Sequence, residues 1–171
     1  MHAQDSAAKP PVMPDSSDPC GNPMMESQLW SSVKGKVSRV IDGRTLLVNL
    51  PHNSHPLRVY LAGVGLGNTG QAMEQAKELV SQLVLDKRVE ILVNQSWDFE
   101  NKKPTNATGV VHLENSTAGV YDVGLFLLSK GLVKFQEPAP YSMSRHTECQ
   151  YKNAEAEAKD KKLGIWVSLL R

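Results

Sequence analysis

The stretch from Val40 to Asn68 constrains the fold more than any other part of this 171-residue chain. It reads VIDGRTLLVNLPHNSHPLRVYLAGVGLGN, and its Asp42-Gly43 pair is a tight-turn signal between two apolar runs. The pair predicts a β-hairpin, and a polar loop then leads into a third apolar strand. A helix through Thr45–Leu50 would contradict this interpretation. The run therefore predicts a sheet that continues, through a glycine-rich turn, into a helix.

The remaining pattern places one helix after the third strand and two after the fifth. Apolar residues from Ala72 to Val84 follow helical spacing, and Asn68 or Thr69 would cap that helix. Together the elements predict an α+β fold, a five-stranded OB-type β-barrel with three helices, while pattern alone leaves an ordinary α+β sheet open. The predicted strands are Val33–Arg39, Thr45–Leu50, Leu57–Val64, Lys87–Val93 and Gly109–Leu113, and the predicted helices span residues 69–86, 123–130 and 145–162.

Composition divides the chain into a tail and one folded domain. Residues 1–28 are rich in Pro, Ser, Asp and Met without periodicity, so they offer too little apolar surface to offset the entropy of ordering. We therefore predict a disordered tail or linker over residues 1–32 and one domain over residues 33–171. No apolar run reaches the roughly 18 residues of a membrane span, so no spanning helix is expected.

Charge is unevenly divided between these two parts. The tail carries one basic and four acidic residues, and the remainder carries 18 basic and 14 acidic residues. A small positive balance on the domain permits nucleic-acid binding but does not require it.

The chain has two cysteines, Cys20 in the predicted tail and Cys149 in a predicted helix. They do not form a pair at the two- to four-residue spacing of zinc ligands, so a zinc site is not expected. An oxidising compartment would allow a disulfide between them. Two free thiols are the favoured expectation.

Five segments of the chain form a recognisable pattern through their order and spacing. They are Val40–Gly43 with Thr45, Leu61–Val64, Gly131–Val133, Asn153–Lys159 and Leu163–Trp166. Together they resemble the staphylococcal-nuclease family, and the resemblance covers roughly Val33 to Trp166. It implies the family's fold, a five-stranded barrel with three helices, and it implies that Trp166 closes the last helix as a packing anchor.

Enzymes of this family cleave phosphodiesters with one calcium ion, which needs oxygen ligands, a base and cations. The chain departs from the family pattern at each of these groups. Of the opening Asp-Gly-Asp-Thr turn, Asp42, Gly43 and Thr45 remain. The replaced positions are Arg44 for the first metal-binding acid, Tyr60 for the third-strand arginine, Gly65 for the second metal-binding acid, Gly67 for the proline, Asn68 for the base glutamate and Thr108 for the second arginine.

Two arginines near the replaced positions carry the remaining chemistry. A guanidinium has donors and no acceptor, so Arg44 would repel calcium and would instead contact a phosphate, pair with Asp42 or lie free at the hairpin surface. Arg58 lies two residues from Tyr60 and faces the same side of the strand, about 7 Å away, or it is a solvated strand arginine. Tyr60 would stack on a base or pack in the barrel. The candidate nucleic-acid-binding residues are Arg44, Arg58, Tyr60, Lys102 and Lys103.

These departures favour a catalytically inactive nuclease-like domain that binds single-stranded RNA or DNA, or a protein. No cofactor or metal is expected for such a module. The alternative is a divergent phosphodiesterase that uses calcium and gives new roles to Asp42, Arg58 and Glu74. A third hypothesis is a purely structural or protein-interaction domain, which salt-sensitive binding of nucleic acid would exclude.

Overall fold

The computed structural model describes residues 19–21, 30–94, 105–117, 119–139 and 142–170. Its helices are α1 (Gly70–Val84), α2 (Val123–Ser129) and α3 (Arg145–Asp160), followed by a 3-10 helix at Gly164–Leu170. The three predicted helices are thereby confirmed to within two residues at each end. The strands are β1 (Trp30–Asp42), β2 (Thr45–Asn49), β3 (Leu57–Leu61), β4 (Val64–Leu66), β5 (Arg88–Asn94), β6 (Asn106–Thr117), β7 (Val120–Asp122) and β8 (Val133–Phe135).

Five of these strands close into a barrel. The sheet order is β3-β2-β1-β5-β6-β7, and a parallel pairing of β3 with β6 joins its two sides. The barrel thus runs through β1, β2, β3, β6 and β5, with antiparallel neighbours everywhere else. The predicted five-stranded OB-type barrel of the α+β class is confirmed. The structure differs from the prediction in one detail. The predicted third strand is divided into β3 and β4 at Gly63, whose φ is +73°.

Successive side chains along a strand point to opposite faces. The side chains of one face fill the barrel, and those of the other face lie outside it. Leu57 and Val59 are fully buried, while Arg58 between them is exposed. In the paired strand β2, Leu46 and Val48 are fully buried. Helix α1 is capped by Thr69, whose hydroxyl oxygen accepts a hydrogen bond from the Ala72 N–H. The helix packs an apolar face against the barrel. The outward face of β3 therefore carries Arg58 and, two residues further along, Tyr60.

Helix α3 is held to the body by Tyr151, which is only 1% exposed. Its hydroxyl donates to Asp122 Oδ1 at 2.6 Å, and the same oxygen accepts from the Leu125 N–H at the start of α2. The ring lies so close to Gly124 that a Cβ there would come within 2.6 Å of the tyrosine hydroxyl oxygen. Tyr151 is therefore a main anchor of this charged helix, a role that the sequence interpretation assigned to Trp166.

Trp166 itself, the expected packing anchor, is partly buried. The Lys159 ammonium lies 4.6 Å from the centroid of the Trp166 ring. The backbone N–H of Trp166 donates a hydrogen bond to the Leu163 carbonyl oxygen. The tryptophan thus covers the end of α3 while one side of its ring stays in contact with solvent and a lysine.

Replacing Trp166 with alanine is expected to lower the free energy of unfolding by about 1–3 kcal/mol, less than a fully buried aromatic would cost. Urea unfolding measures the difference. Val167→Ala is the matched control, because Val167 is 61% exposed and its loss should change stability by about 0.5 kcal/mol at most. A Trp166→Ala variant as stable as the control would show that the ring anchors nothing.

The expectation of two free thiols is wrong. Cys20 and Cys149 form a disulfide, with Cα atoms 5.4 Å apart. His146 Nδ1 lies 3.1 Å from the Cys20 carbonyl oxygen, so residues 19–21 pack on the first turns of α3. The expectation that the tail does not pack is therefore wrong at this point. This disulfide could not be predicted from the sequence, because 129 residues separate the two cysteines and only the fold brings them together.

The ordered barrel starts slightly earlier than expected. Strand β1 begins at Trp30, three residues before Val33 of the predicted first strand. Apart from residues 19–21, the chain before Trp30 lies outside the described residues. The division into a tail over 1–32 and a domain over 33–171 stays a prediction. Among the described helices, none is long and apolar enough to cross a membrane.

Candidate functional site

The hairpin residues that match the family pattern have structural reasons to be present. Asp42 Oδ1 accepts a hydrogen bond from the Arg44 N–H at 2.8 Å, which closes the turn between β1 and β2. A Cβ on Gly43 would lie 2.7 Å from the Ala76 Cβ of α1, so the helix packs directly on this glycine. Thr45 is 3% exposed and pairs in register with Asp42. The retained part of the motif therefore builds the turn and supports the helix.

The Arg44 guanidinium leaves this turn toward the third strand. Its Cζ lies 5.8 Å from the centroid of the Tyr60 ring, within the range of a cation–π contact. Its Nη1 donates to Gln136 Oε1 at 3.4 Å, a long hydrogen bond. Its Nε is buried and has no hydrogen-bond partner among the described residues. The structure thus brings the first two replaced positions together, and it leaves donor capacity on the arginine.

The position of the second metal-binding acid, Gly65, is also close to Gln136. Gly65 is in β4 and pairs with Lys134 of β8. A Cβ added to Gly65 would come within 3.0 Å of Gln136 Oε1 and 3.3 Å of Lys134 Cγ. The side chains of Gln136 and Lys134 therefore border the space that an acidic side chain would need at this position.

Lys134 is a functional candidate that the sequence analysis missed. Its Nζ donates to Asn68 Oδ1 at 3.3 Å, at the position where the family has its base. An asparagine amide cannot take a proton from water in that role, and the ammonium beside it has only donors to offer. The sequence places Lys134 in an extended run, but the pairing of β8 with β4 that brings it here has no local signal.

The remaining candidates follow the register of the barrel strands. Tyr60 pairs with Thr45 on one side and with Thr108 on the other, so Thr108 lies beside the arginine–tyrosine contact. Arg58 is exposed, pairs with Leu47 and faces the same side as Tyr60. Arg44 is therefore in contact with Tyr60, Thr108 lies beside them in β6, and Arg58 flanks them on β3. Lys102 and Lys103 lie outside the described residues, so their roles stay predictions.

The residues present do not fit the calcium ion that the family's activity requires. Calcium takes six to eight oxygen ligands in proteins, with carboxylates prominent among them. Here the two acid positions hold Arg44 and Gly65, Lys134 adds a second cation, and Asp42 already accepts from the backbone of the turn. Across the described segments no group of three or more His, Cys, Asp or Glu side chains is placed to hold a metal ion. Arg44 and Lys134 instead supply positive charge and hydrogen-bond donors at these positions.

Comparison with known proteins agrees with this architecture. Among curated proteins, no sequence matches the chain. A family model described as staphylococcal nuclease homologue matches residues 44–168, which is most of the chain and begins at the arginine of the hairpin. The matched region includes the replaced positions, the barrel strands that display them and the last helix. The chain therefore belongs to the staphylococcal nuclease family.

Proposed function

We propose that this protein is a catalytically inactive member of the nuclease family that binds single-stranded RNA or DNA without metal. The binding face consists of Arg44, Arg58, Tyr60 and Lys134, and we call it the arginine–tyrosine face. The observation that carries the proposal is the Arg44 guanidinium, which lies over Tyr60 at the place of a metal-binding acid. A cation beside an aromatic ring suits a phosphate and a stacked base.

The charge of the cluster supports a polyanion as the ligand. Arg44 and Lys134 approach the position of Gly65 from two elements, and within the described residues their side chains hydrogen-bond to the neutral amides Gln136 and Asn68. Neutral partners leave their charges uncompensated, whereas a carboxylate would cancel them. A phosphate that enters between them would supply the acceptor oxygens that the site lacks.

The divergent-phosphodiesterase alternative gains less support from the same contacts. It needs Asp42 as a metal ligand, but one of its carboxylate oxygens closes the turn. Glu74 is exposed on α1, and Arg58 is exposed on β3. Calcium-dependent cleavage would nevertheless decide in favour of this alternative. Binding of a protein but no nucleic acid would favour the interaction-domain hypothesis.

The test is a fluorescence anisotropy titration of a labelled single-stranded oligonucleotide against the Arg44→Ala/Arg58→Ala variant. Binding to the parent protein should be sequence-tolerant and weaken with salt. Loss of two phosphate contacts should reduce the slope of log K against log salt by about 1.4, since each contact contributes about 0.7 for single strands. The control is Lys130→Ala/Lys161→Ala, which removes the same charge from the ends of α2 and α3. An arginine variant that binds as tightly as the parent would place the ligand elsewhere.

A further inference from the structure

The outer surface of β1, β2 and β3 carries a row of side chains that extends away from the arginine–tyrosine face. Arg58 pairs with Leu47, and Leu47 pairs with Arg39, so the three residues lie side by side across three strands. Arg58 and Arg39 are exposed, and Leu47 between them is partly exposed. Further along β1, Lys36 pairs with Asn49 and is also exposed. We call Arg39, Lys36 and Leu47 the basic strip.

The cations of the basic strip have no acidic partner among the described residues. Within the described part of the chain, neither Arg39, Lys36 nor Arg58 forms an ion pair. Arg88, the neighbour of Lys36 on β5, is neutralised by Glu114 at 2.8 Å. Lysines of α3 are likewise paired with glutamates four residues away, at 2.6–3.1 Å. Three exposed cations without an acidic partner among the described residues, Lys36, Arg39 and Arg58, therefore lie on the outer surface of β1 and β3.

The spacing of the strip suits an extended polyanion. Adjacent strands lie about 4.8 Å apart, which puts Arg39 about 10 Å from Arg58, and Tyr60 lies about 7 Å beyond along β3. Lys36 adds roughly 10 Å along β1, three residues from Arg39. The whole path is about 25 Å long. Because Arg44 and Lys134 of the arginine–tyrosine face lie beyond this path, a strand that contacts both the face and the strip needs more than the roughly four nucleotides at the lower end of the site sizes of OB folds. Leu47 offers an apolar contact in the middle of the path.

We propose that a single-stranded nucleic acid continues from the arginine–tyrosine face across the basic strip, over Arg58, Leu47 and Arg39 to Lys36. This inference rests on the proposed function, because it extends the same ligand beyond the same face. It makes the outer surface of β1–β3 the determinant of the length of strand that is bound. Long oligonucleotides contact both parts, and short ones contact the arginine–tyrosine face alone.

The test compares a four-nucleotide and a twelve-nucleotide labelled oligothymidylate on the parent and on Arg39→Ala/Lys36→Ala. Both replaced side chains are exposed, and thermal unfolding of the variant should match the parent. The variant should bind the twelve-mer less tightly, with a salt slope lower by about 1.4, and should approach the parent on the four-mer. The charge-matched control Lys130→Ala/Lys161→Ala should leave both affinities unchanged.

The outcomes separate this inference from the proposed function. If the twelve-mer loses affinity for Arg44→Ala/Arg58→Ala but not for Arg39→Ala/Lys36→Ala, the strip is wrong and the face stands. If both variants weaken the twelve-mer and only the first weakens the four-mer, both proposals are supported. If the parent binds neither oligonucleotide, both are overturned.

Discussion

Single-stranded DNA and RNA are expected to remain intact when they are incubated with the purified protein and calcium. A positioned base contributes typically about 10²–10⁴-fold to such a reaction, and Asn68 cannot act as one. A charge-stabilising donor contributes roughly 10²–10³-fold, and Tyr60 and Thr108 are uncharged where the family has arginines. These losses are not additive, but without the acids at the positions of Arg44 and Gly65 the metal that organises the reaction loses two of its ligands.

A gel assay of labelled strands over several hours checks this expectation. Arg44→Asp/Gly65→Asp is the matched variant for the metal, since it restores two acids at the family positions. A side chain at residue 65 would require the Gln136 and Lys134 side chains to shift, since their nearest atoms lie 3.0 and 3.3 Å from the added Cβ. Calorimetry should detect calcium binding to this variant and none to the parent. Cleavage by the parent that requires calcium and disappears in Asp42→Ala would instead establish the divergent enzyme.

Replacing Tyr151 with alanine is expected to cost about 3–5 kcal/mol of stability, the largest effect of any single change considered for the fold. The side chain is buried between α3 and α2 and donates to Asp122 Oδ1. Its removal would leave a cavity and take one donor from a carboxylate that also caps α2. Urea unfolding measures the loss. Tyr151→Phe keeps the ring and should lose only the hydrogen bond, about 1.5–3 kcal/mol.

The same tyrosine predicts how stability depends on pH. Burial raises the pKa of the Tyr151 hydroxyl well above its ordinary value, and the adjacent Asp122 carboxylate raises it further. Because the folded state holds this proton more tightly than the unfolded state, its contribution is complete below the unfolded pKa of about 10 and declines as pH rises above it. The parent should therefore lose stability above about pH 10 more steeply than Tyr151→Phe. Equal slopes for the two proteins would contradict this assignment.

The strands and helices were predictable because their signals are local. The Asp42-Gly43 turn, the apolar runs of β2 and β3 and the helical spacing of α1 each appear within a few residues. Arg58 and Tyr60 could be placed on one face of β3 because they are two residues apart. Local pattern therefore sufficed for the order of the elements, whereas the resemblance to the nuclease family was needed to choose the barrel over an ordinary α+β sheet.

What could not be predicted depends on contacts between distant segments. Lys134 reaches Asn68 only because β8 pairs with β4, and these two short strands carry no pattern that identifies them as partners. The Cys20–Cys149 disulfide and the burial of Tyr151 likewise join elements far apart in sequence. The tyrosine looked like one more residue on a charged helix, because its partner Gly124 signals close approach only in three dimensions.

The central claim is that the arginine–tyrosine face binds nucleic acid without metal and leaves it intact. The most direct measurement follows the anisotropy of one labelled twelve-nucleotide strand with the protein over several hours, in EDTA and in calcium. We expect the same rise in both solutions and a constant value thereafter. A rise that occurs only in calcium, or an anisotropy that decays with time in calcium as the strand is cut, would contradict the claim.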